Sequence, residues 1–156
     1  MGSLQDRGIS VGGMLSREVR KTGIRVGFEI YDYSSGRQGW LAHINQNVGP
    51  QVGKYRVNIQ DLESIGAQAI IEATQKCKII AIDEIGPMEL YSGKFKQAVG
   101  LAFESQKLVL AIVHAKATDS LVTSAKQRED AEIFTVTGSN RDTLHEEITK
   151  ALLAVL

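Results

Sequence analysis

The feature that most constrains the fold is a short, nearly uninterrupted apolar run at residues 78–82, which lies between two stretches with helical periodicity. A run of this kind is typical of a strand that is covered on both faces. The stretch before it places six apolar residues on one helical face: Ile59, Leu62, Ile65, Ala69, Ile70 and Ala73. Because strands covered on both faces occur in sheets flanked by helices, the pattern predicts a parallel α/β sheet.

Helices and strands continue to alternate after this run. Two more buried strands are predicted, at residues 107–113 and 133–136. Helices are predicted after residues whose side chains cap a helix N-terminus well: Asn58, Ser92, Asp119 and Asn140. The last helix is expected to reach the end of the sequence.

The first third of the sequence has a different character, with short strands and tight turns. Residues 18–20 and 24–33 flank the turn signal Lys21-Thr22-Gly23, which predicts a hairpin. Ser34-Ser35-Gly36 turns the chain again, and residues 53–57 predict another short strand. We expect these hairpins to form an insertion or a ribbon beside the main sheet.

Length and charge limit the function classes. The 156 residues suit one domain, and 18 basic residues balance 18 acidic ones. Zero net charge, without a basic stripe beside aromatic residues, disfavours nucleic-acid binding. The longest apolar run is far too short to span a membrane. A single cysteine, Cys77, fits a reducing compartment, so the expected location is the cytoplasm.

Asp83 and Glu84, directly after the buried run, are the strongest candidates for chemistry. Ligands of parallel α/β sheets bind outside the carboxyl ends of the strands, where this acidic pair lies. Asp83 would hold Mg²⁺, as the Walker B aspartate of P-loop NTPases does, and Glu84 would orient and deprotonate the attacking water. The alternative is that an acidic pair merely ends a strand and begins a turn.

The residues around this pair resemble the THEP1-type nucleoside triphosphatases, which are related to AAA+ and RecA-like P-loop enzymes. The string Asp-Glu-Ile-Gly-Pro-Met-Glu-Leu at residues 83–90, followed by Ser92 and Phe95, is highly specific for that family. Three more blocks match in the same order: Gly12-Gly13 with residues 16–20 and 23–28, residues 52–57, and residues 140–144. Together the blocks span nearly the whole sequence.

The resemblance implies one three-layer P-loop domain over residues 1–156, with a β-hairpin elaboration near its N-terminus. It implies Mg²⁺-dependent hydrolysis of nucleoside triphosphates to diphosphates and phosphate. By the same resemblance, Asn140 and Arg141 would lie near the nucleotide, although a helix cap and a solvated arginine are the alternative. Arg20, Arg25 and Lys54 are further candidates for contacts with the nucleotide phosphates, against solvated charges on exposed hairpins.

One family feature is not found in this sequence, namely a phosphate loop of the form GxxxxGK[ST]. Residues 49–55 come near it but place Tyr55 where a hydroxyl ligand of Mg²⁺ is needed. The sequence therefore resembles a family member that starts about two dozen residues late, without the first strand and its loop. A misassigned or truncated start, a segment supplied by another chain, and true loss are the alternatives, of which the first is favoured.

Two expectations follow from that difference. The sheet should expose an apolar edge where the first strand would lie. The chain should hydrolyse ATP or GTP slowly. The rival functions are a nucleotide-binding or regulatory protein that does not hydrolyse its ligand, and a structural partner of another P-loop subunit.

Overall fold

A computed structural model describes residues 2–156, which form one mixed seven-stranded sheet flanked by helices. The strands follow each other in the sheet in the order β4-β5-β3-β2-β1-β6-β7. Their bounds are β1 Val11–Lys21, β2 Ile24–Asp32, β3 Gln38–His43, β4 Gln51–Val52, β5 Tyr55–Val57, β6 Ile79–Ile85 and β7 Leu108–Val113.

Six α-helices and two other helical segments complete the fold of the described residues. The α-helices are α1 Gly2–Gln5, α2 Ile59–Asp61, α3 Gln68–Lys76, α4 Gly93–Glu104, α5 Ser120–Lys126 and α6 Leu144–Ala154. A π-helical segment, Leu62–Ala67, joins α2 to α3, and Glu89–Tyr91 form a 3₁₀ turn before α4. Over residues 2–156, none of these helices combines the length and apolar character needed to cross a membrane.

The predicted helix starts are confirmed at three positions by side-chain caps. The amide of Asp61 donates to Asn58 Oδ1 at 3.1 Å, and the amide of Phe95 donates to Ser92 Oγ at 3.0 Å. The amide of Leu121 donates to Asp119 Oδ1 at 2.9 Å. Each cap satisfies a backbone donor that has no partner inside its helix. At these three positions the capping residue in the sequence therefore marks where the helix begins.

The predicted hairpin is confirmed, but it is not a separate ribbon. β1 pairs antiparallel with β2 through the turn at Thr22–Gly23, and it also pairs parallel with β6. β1 therefore belongs both to the hairpin region and to the α/β core. Among the described strands only the β1–β6 and β6–β7 pairings are parallel, so the predicted α/β class is confirmed while the sheet is mixed rather than parallel throughout.

The sheet is covered on both faces, which gives the three layers that were predicted. On one face, Ile80 and Ile82 of β6 join a core with Phe95 of α4 and residues of α3. On the other face, Ile79 and Ala81 pack in a second core that includes Leu4 and, at its border, residues of α6. The alternation along β6 explains its uninterrupted apolar run, because both faces of this strand are buried.

Two strand predictions near the C-terminus are wrong in different ways. β7 exists but is not buried: it lies at the edge of the sheet beside β6, and Ile112 is 51% exposed. Residues 133–136 form no strand, and Ile133 and Val136 are 61% and 65% exposed. Sequence periodicity indicates which residues favour an extended backbone. It does not show whether another strand lies beside them to form the hydrogen bonds of a sheet. β7 is an apolar edge strand, and the place of a further strand beside it stays a prediction.

Candidate active site

The carboxyl end of β6 opens into a cavity of about 420 Å³ that contains both predicted catalytic residues. Four carboxylates line it, from Glu18, Asp83, Glu84 and Glu89. Its apolar walls are formed mainly by Phe28, Leu41, Val52 and Met88. Ser16, Arg17, Pro87 and His114 complete the lining.

The cavity exists because β1 is longer than the strand beside it. The β1–β6 pairing ends at Met14 opposite Ile82, yet β1 continues to Lys21. The extension carries Ser16, Arg17 and Glu18 beyond the last β1–β6 pair, next to Asp83 and Glu84. β2 and β3 continue the same wall with Phe28 and Leu41. The N-terminal hairpins thus form the side of the site that faces the acidic pair.

Asp83 is partly buried at the edge of the cavity, beside Glu84 and joined to it by a cis peptide bond. Burial, and after it the negative charge of Glu84, raises the pKa of the Asp83 carboxyl above its ordinary value. Both causes disfavour the ionised form of Asp83 in the protein alone. A cation bound at this place would oppose both, so the electrostatics of the site favour a positively charged ligand.

The residues present fit a magnesium site of the kind that also uses substrate oxygens. Within residues 2–156, no three His, Cys, Asp or Glu side chains are arranged to enclose a metal ion on their own. Mg²⁺ prefers carboxylate oxygen, keeps several waters, and is commonly held by one or two carboxylates together with substrate phosphates. Asp83 and Glu84 meet that requirement, whereas a closed transition-metal site would need more protein ligands.

Glu89 is a part of the site to which sequence reasoning gave no role. Only 2% of this residue is exposed, and its Oε2 accepts a hydrogen bond from the amide of Gly86 at 3.1 Å. Burial raises the pKa of Glu89 to about 7, helped by the charges of Glu84 and Asp83 and opposed by the Gly86 hydrogen bond. The sequence signal was an acid between two apolar residues, Met88 and Leu90, in a turn.

Glu89 should make the protein less stable as pH rises towards neutrality. The folded protein holds this proton up to about pH 7, while the unfolded chain releases it near the ordinary value of 4.5. Its contribution is therefore complete below pH 4.5 and lost as pH rises through about 7, a change of about 3 kcal/mol. Glu89→Gln should remove this dependence, as measured by urea unfolding at pH 5 and pH 8 in EDTA.

The matched control for this prediction is Glu132→Gln, at an exposed residue. It should follow the wild-type pH dependence, because the residue is exposed and its substitution leaves Glu89 in place. If Glu89→Gln and wild type lose the same free energy of unfolding between the two pH values, Glu89 does not hold the proton.

His114, directly after β7, also lines the cavity. Its amide donates to the carbonyl of Ile85 at 3.1 Å, which holds the chain next to the end of β6. Its Nδ1 accepts from the amide of Lys116 at 3.3 Å. The imidazole thus has a backbone partner on one nitrogen, which fixes its place in the cavity lining.

Arg20, Arg25 and Lys54 lie close to one another but not in the cavity lining. Both arginines donate to Glu18, and Arg25 also donates to the hydroxyl of Tyr55 at 2.9 Å. The ammonium of Lys54 lies 5.4 Å from the centre of the Tyr55 ring. These contacts account for the three cations as parts of the hairpin surface, and their binding of nucleotide stays a prediction.

Asn140 and Arg141 are not among the residues that line the cavity either. Asn140 closes a local turn, because its Oδ1 accepts from the amide of Thr137 at 2.8 Å and its Nδ2 donates to the carbonyl of Thr135. Arg141 is exposed and pairs with its neighbour Asp142 at 3.4 Å. Their predicted place near the nucleotide stays a prediction.

Matches to known proteins assign the chain to a family. A family model described as "NTPase" matches residues 1–149. The chain is 42% identical over 154 residues to a nucleoside-triphosphatase THEP1 of Thermofilum pendens, covering 98% of the chain and 85% of that protein. It is 44% identical over 149 residues to a protein of the same name from Methanosarcina acetivorans, covering 96% and 83% respectively.

Two solved structures resemble the chain over nearly its whole length. The crystal structure of THEP1 from the hyperthermophile Aquifex aeolicus is 27% identical, with a TM-score of 0.81, and the match covers 94% of this chain and 86% of that one. The solution structure of a human cancer-related nucleoside triphosphatase is 28% identical, with a TM-score of 0.82, covering 98% and 87%. The sheet order and the helix layers are thus shared with solved nucleoside triphosphatases.

Proposed function

Because this chain belongs to the THEP1-type family of nucleoside triphosphatases and has their P-loop NTPase fold, we propose that it acts on nucleoside triphosphates at the Asp83–Glu84 cavity. The proposed reaction is hydrolysis of the terminal phosphoanhydride bond to a nucleoside diphosphate and phosphate. The observation that carries the proposal is the acidic pair at the carboxyl end of β6, open to a cavity of about 420 Å³.

Asp83 and Glu84 would have separate tasks in this reaction. Asp83 would hold Mg²⁺ together with the substrate phosphates, and the ion would supply positive charge that neutralises the phosphate oxygens. Glu84 would accept a hydrogen bond from a water molecule, orient it towards the terminal phosphorus and take up its proton. Orientation by a fixed carboxylate removes much of the entropic part of the barrier.

The walls of the cavity support this division of tasks. Phe28, Leu41 and Val52 present apolar surface opposite the acidic pair, which limits the number of bulk waters near it. Arg17 lines the same cavity, with its guanidinium paired to Glu29 at 2.7 Å. The site thus combines carboxylates with a poorly hydrated wall, an environment in which charge interactions are stronger than in water.

The proposal is tested by phosphate release from ATP, GTP, CTP and UTP as a function of Mg²⁺ concentration. Asp83→Asn should raise the Mg²⁺ concentration for half-maximal turnover by about 10- to 100-fold, because one charged ligand is lost. EDTA should stop turnover in wild type. The matched control is Asp130→Asn, at an exposed residue that pairs with Arg128 outside the cavity lining.

Two results would contradict the proposal. Turnover with the same Mg²⁺ dependence in Asp83→Asn and wild type would remove Asp83 from the metal site. Tight equilibrium binding of nucleotide without phosphate release would favour the rival function, a nucleotide-binding protein that does not hydrolyse its ligand. Phosphate release should be followed for hours under single-turnover conditions.

A further inference from the structure

Glu89 lies where it can control the position of Glu84. It begins the 3₁₀ turn Glu89–Tyr91 that follows β6, and it is buried although it lines the cavity. Its carboxylate accepts the amide hydrogen of Gly86, two residues after Glu84. The amide of Leu90 donates to the carbonyl of Gly86 at 3.1 Å, so both backbone groups of Gly86 are bound by the turn.

Gly86 brings the two carboxylates to the same small volume. A Cβ atom at Gly86 would lie 2.5 Å from Oε1 of Glu84 and 3.0 Å from Oε2 of Glu89. Real Cβ atoms almost never approach another atom within 3.0 Å, so a side chain at residue 86 would displace the flexible end of Glu84 and crowd that of Glu89. The absence of a side chain at residue 86 is what allows Glu84 and Glu89 to share this volume.

We propose that Glu89 is a positioning residue, which fixes the backbone turn at Gly86 and through it the direction of the Glu84 carboxylate. The inference rests on the proposed function, in which Glu84 orients the attacking water. A buried amide that loses its acceptor is destabilised by about 1–3 kcal/mol, so loss of the Glu89 carboxylate should let the turn rearrange. A shift of about 1 Å in a catalytic group can lower a rate by about 10²-fold.

The structure favours an acid or amide at residue 89 over an apolar side chain. The residue is buried, where an isolated carboxyl is costly, and the Gly86 amide gives it a hydrogen-bond partner. A leucine would fill a similar volume without accepting the Gly86 hydrogen bond. A glutamine keeps both the length and an acceptor oxygen, so the hydrogen bond and the charge can be separated experimentally.

The test compares Glu89→Leu with Glu89→Gln in the intact chain. Glu89→Leu should lower kcat by about 10²-fold with little change in KM, because the nucleotide still binds while the water is misoriented. Glu89→Gln should restore most of kcat. Gly86→Ala, which forces the Glu84 carboxylate away, should lower kcat similarly. The double variant Gly86→Ala with Glu89→Leu should have a kcat little lower than that of either single variant.

A second measurement keeps the inference separable from the proposed function. In protein with ¹³C-labelled glutamate, the side-chain carboxyl resonance of Glu84 should move in Glu89→Leu and stay in place in Glu89→Gln, while that of exposed Glu104 stays unchanged in both. These resonance changes support the positioning role of Glu89 even if wild type releases no phosphate. In that case only the proposed function is contradicted. An unchanged Glu84 resonance in Glu89→Leu, or an unchanged kcat where turnover is measurable, overturns it.

Discussion

Glu84→Gln should lower nucleotide turnover by about 10²- to 10⁴-fold while leaving the KM for the nucleotide nearly unchanged. A glutamine has the size of glutamate and still forms hydrogen bonds to water, but it does not take up a proton near neutral pH. The substitution thus removes the proposed base and leaves the cavity shape in place. The measurement is phosphate release under single-turnover conditions, together with equilibrium binding of the nucleotide.

Glu104→Gln is the matched control for this change, because Glu104 is an exposed carboxylate at the end of α4. It should keep the wild-type rate. If Glu84→Gln retains wild-type turnover, the water is activated elsewhere, and the acidic pair then does no more than end the strand. A kcat that falls equally in both variants would show that the decrease does not come from the cavity.

Gly13→Ala should be the most destabilising of these substitutions, by about 3 to 5 kcal/mol. Gly13 has φ +124°, a backbone conformation that side chains disfavour. A Cβ there would lie 2.0 Å from the carbonyl oxygen of Ala81, its partner in the β1–β6 pairing. Because Ala81 precedes Asp83 by two residues on β6, the clash also moves the strand that carries the site. Urea unfolding measures the loss.

Gly23→Ala separates the two causes of that loss. Gly23 has φ +80°, but a Cβ there would meet no atom within 4 Å. This variant should therefore lose only the backbone term, about 1 to 2 kcal/mol. If both variants lose the same free energy of unfolding, the contact between Gly13 and Ala81 has relaxed, and the close approach of β1 to β6 does not depend on glycine.

Three of the four predicted helix starts were correct because each of these is determined within a few residues, whereas Asn140 caps no helix and α6 begins at Leu144 after Thr143. The side chains of Asn58, Ser92 and Asp119 accept hydrogen bonds from amides two or three positions further along the chain. The capping residue and the helix start that it determines are therefore neighbours in the sequence. The burial of β7 was not predictable in this way. Whether a strand is central or at an edge depends on which strand lies beside it, and that is a property of the whole sheet.

The candidate site shows the same division between local and tertiary information. The motif at residues 83–90 was enough to predict that Asp83 and Glu84 lie together at the carboxyl end of a strand. It could not predict that Glu89 is buried beside them, because that depends on how the 3₁₀ turn packs against the cavity. Glu18 was likewise missed, since its place in the lining requires β1 to extend past β6.

The pairing of β1 with both β2 and β6 has a consequence for the order of folding. β1 meets β2 through a short turn, whereas the amide of Lys78 bonds to Ser10, 68 positions away along the chain. Local hairpins close faster than pairings between distant segments. The strands that form the cavity walls should therefore assemble first, and β6 should bring Asp83 and Glu84 to them in a later, slower step. A partly folded chain would then have the hairpin walls of the site, with Glu18, but without Asp83, Glu84 and Glu89.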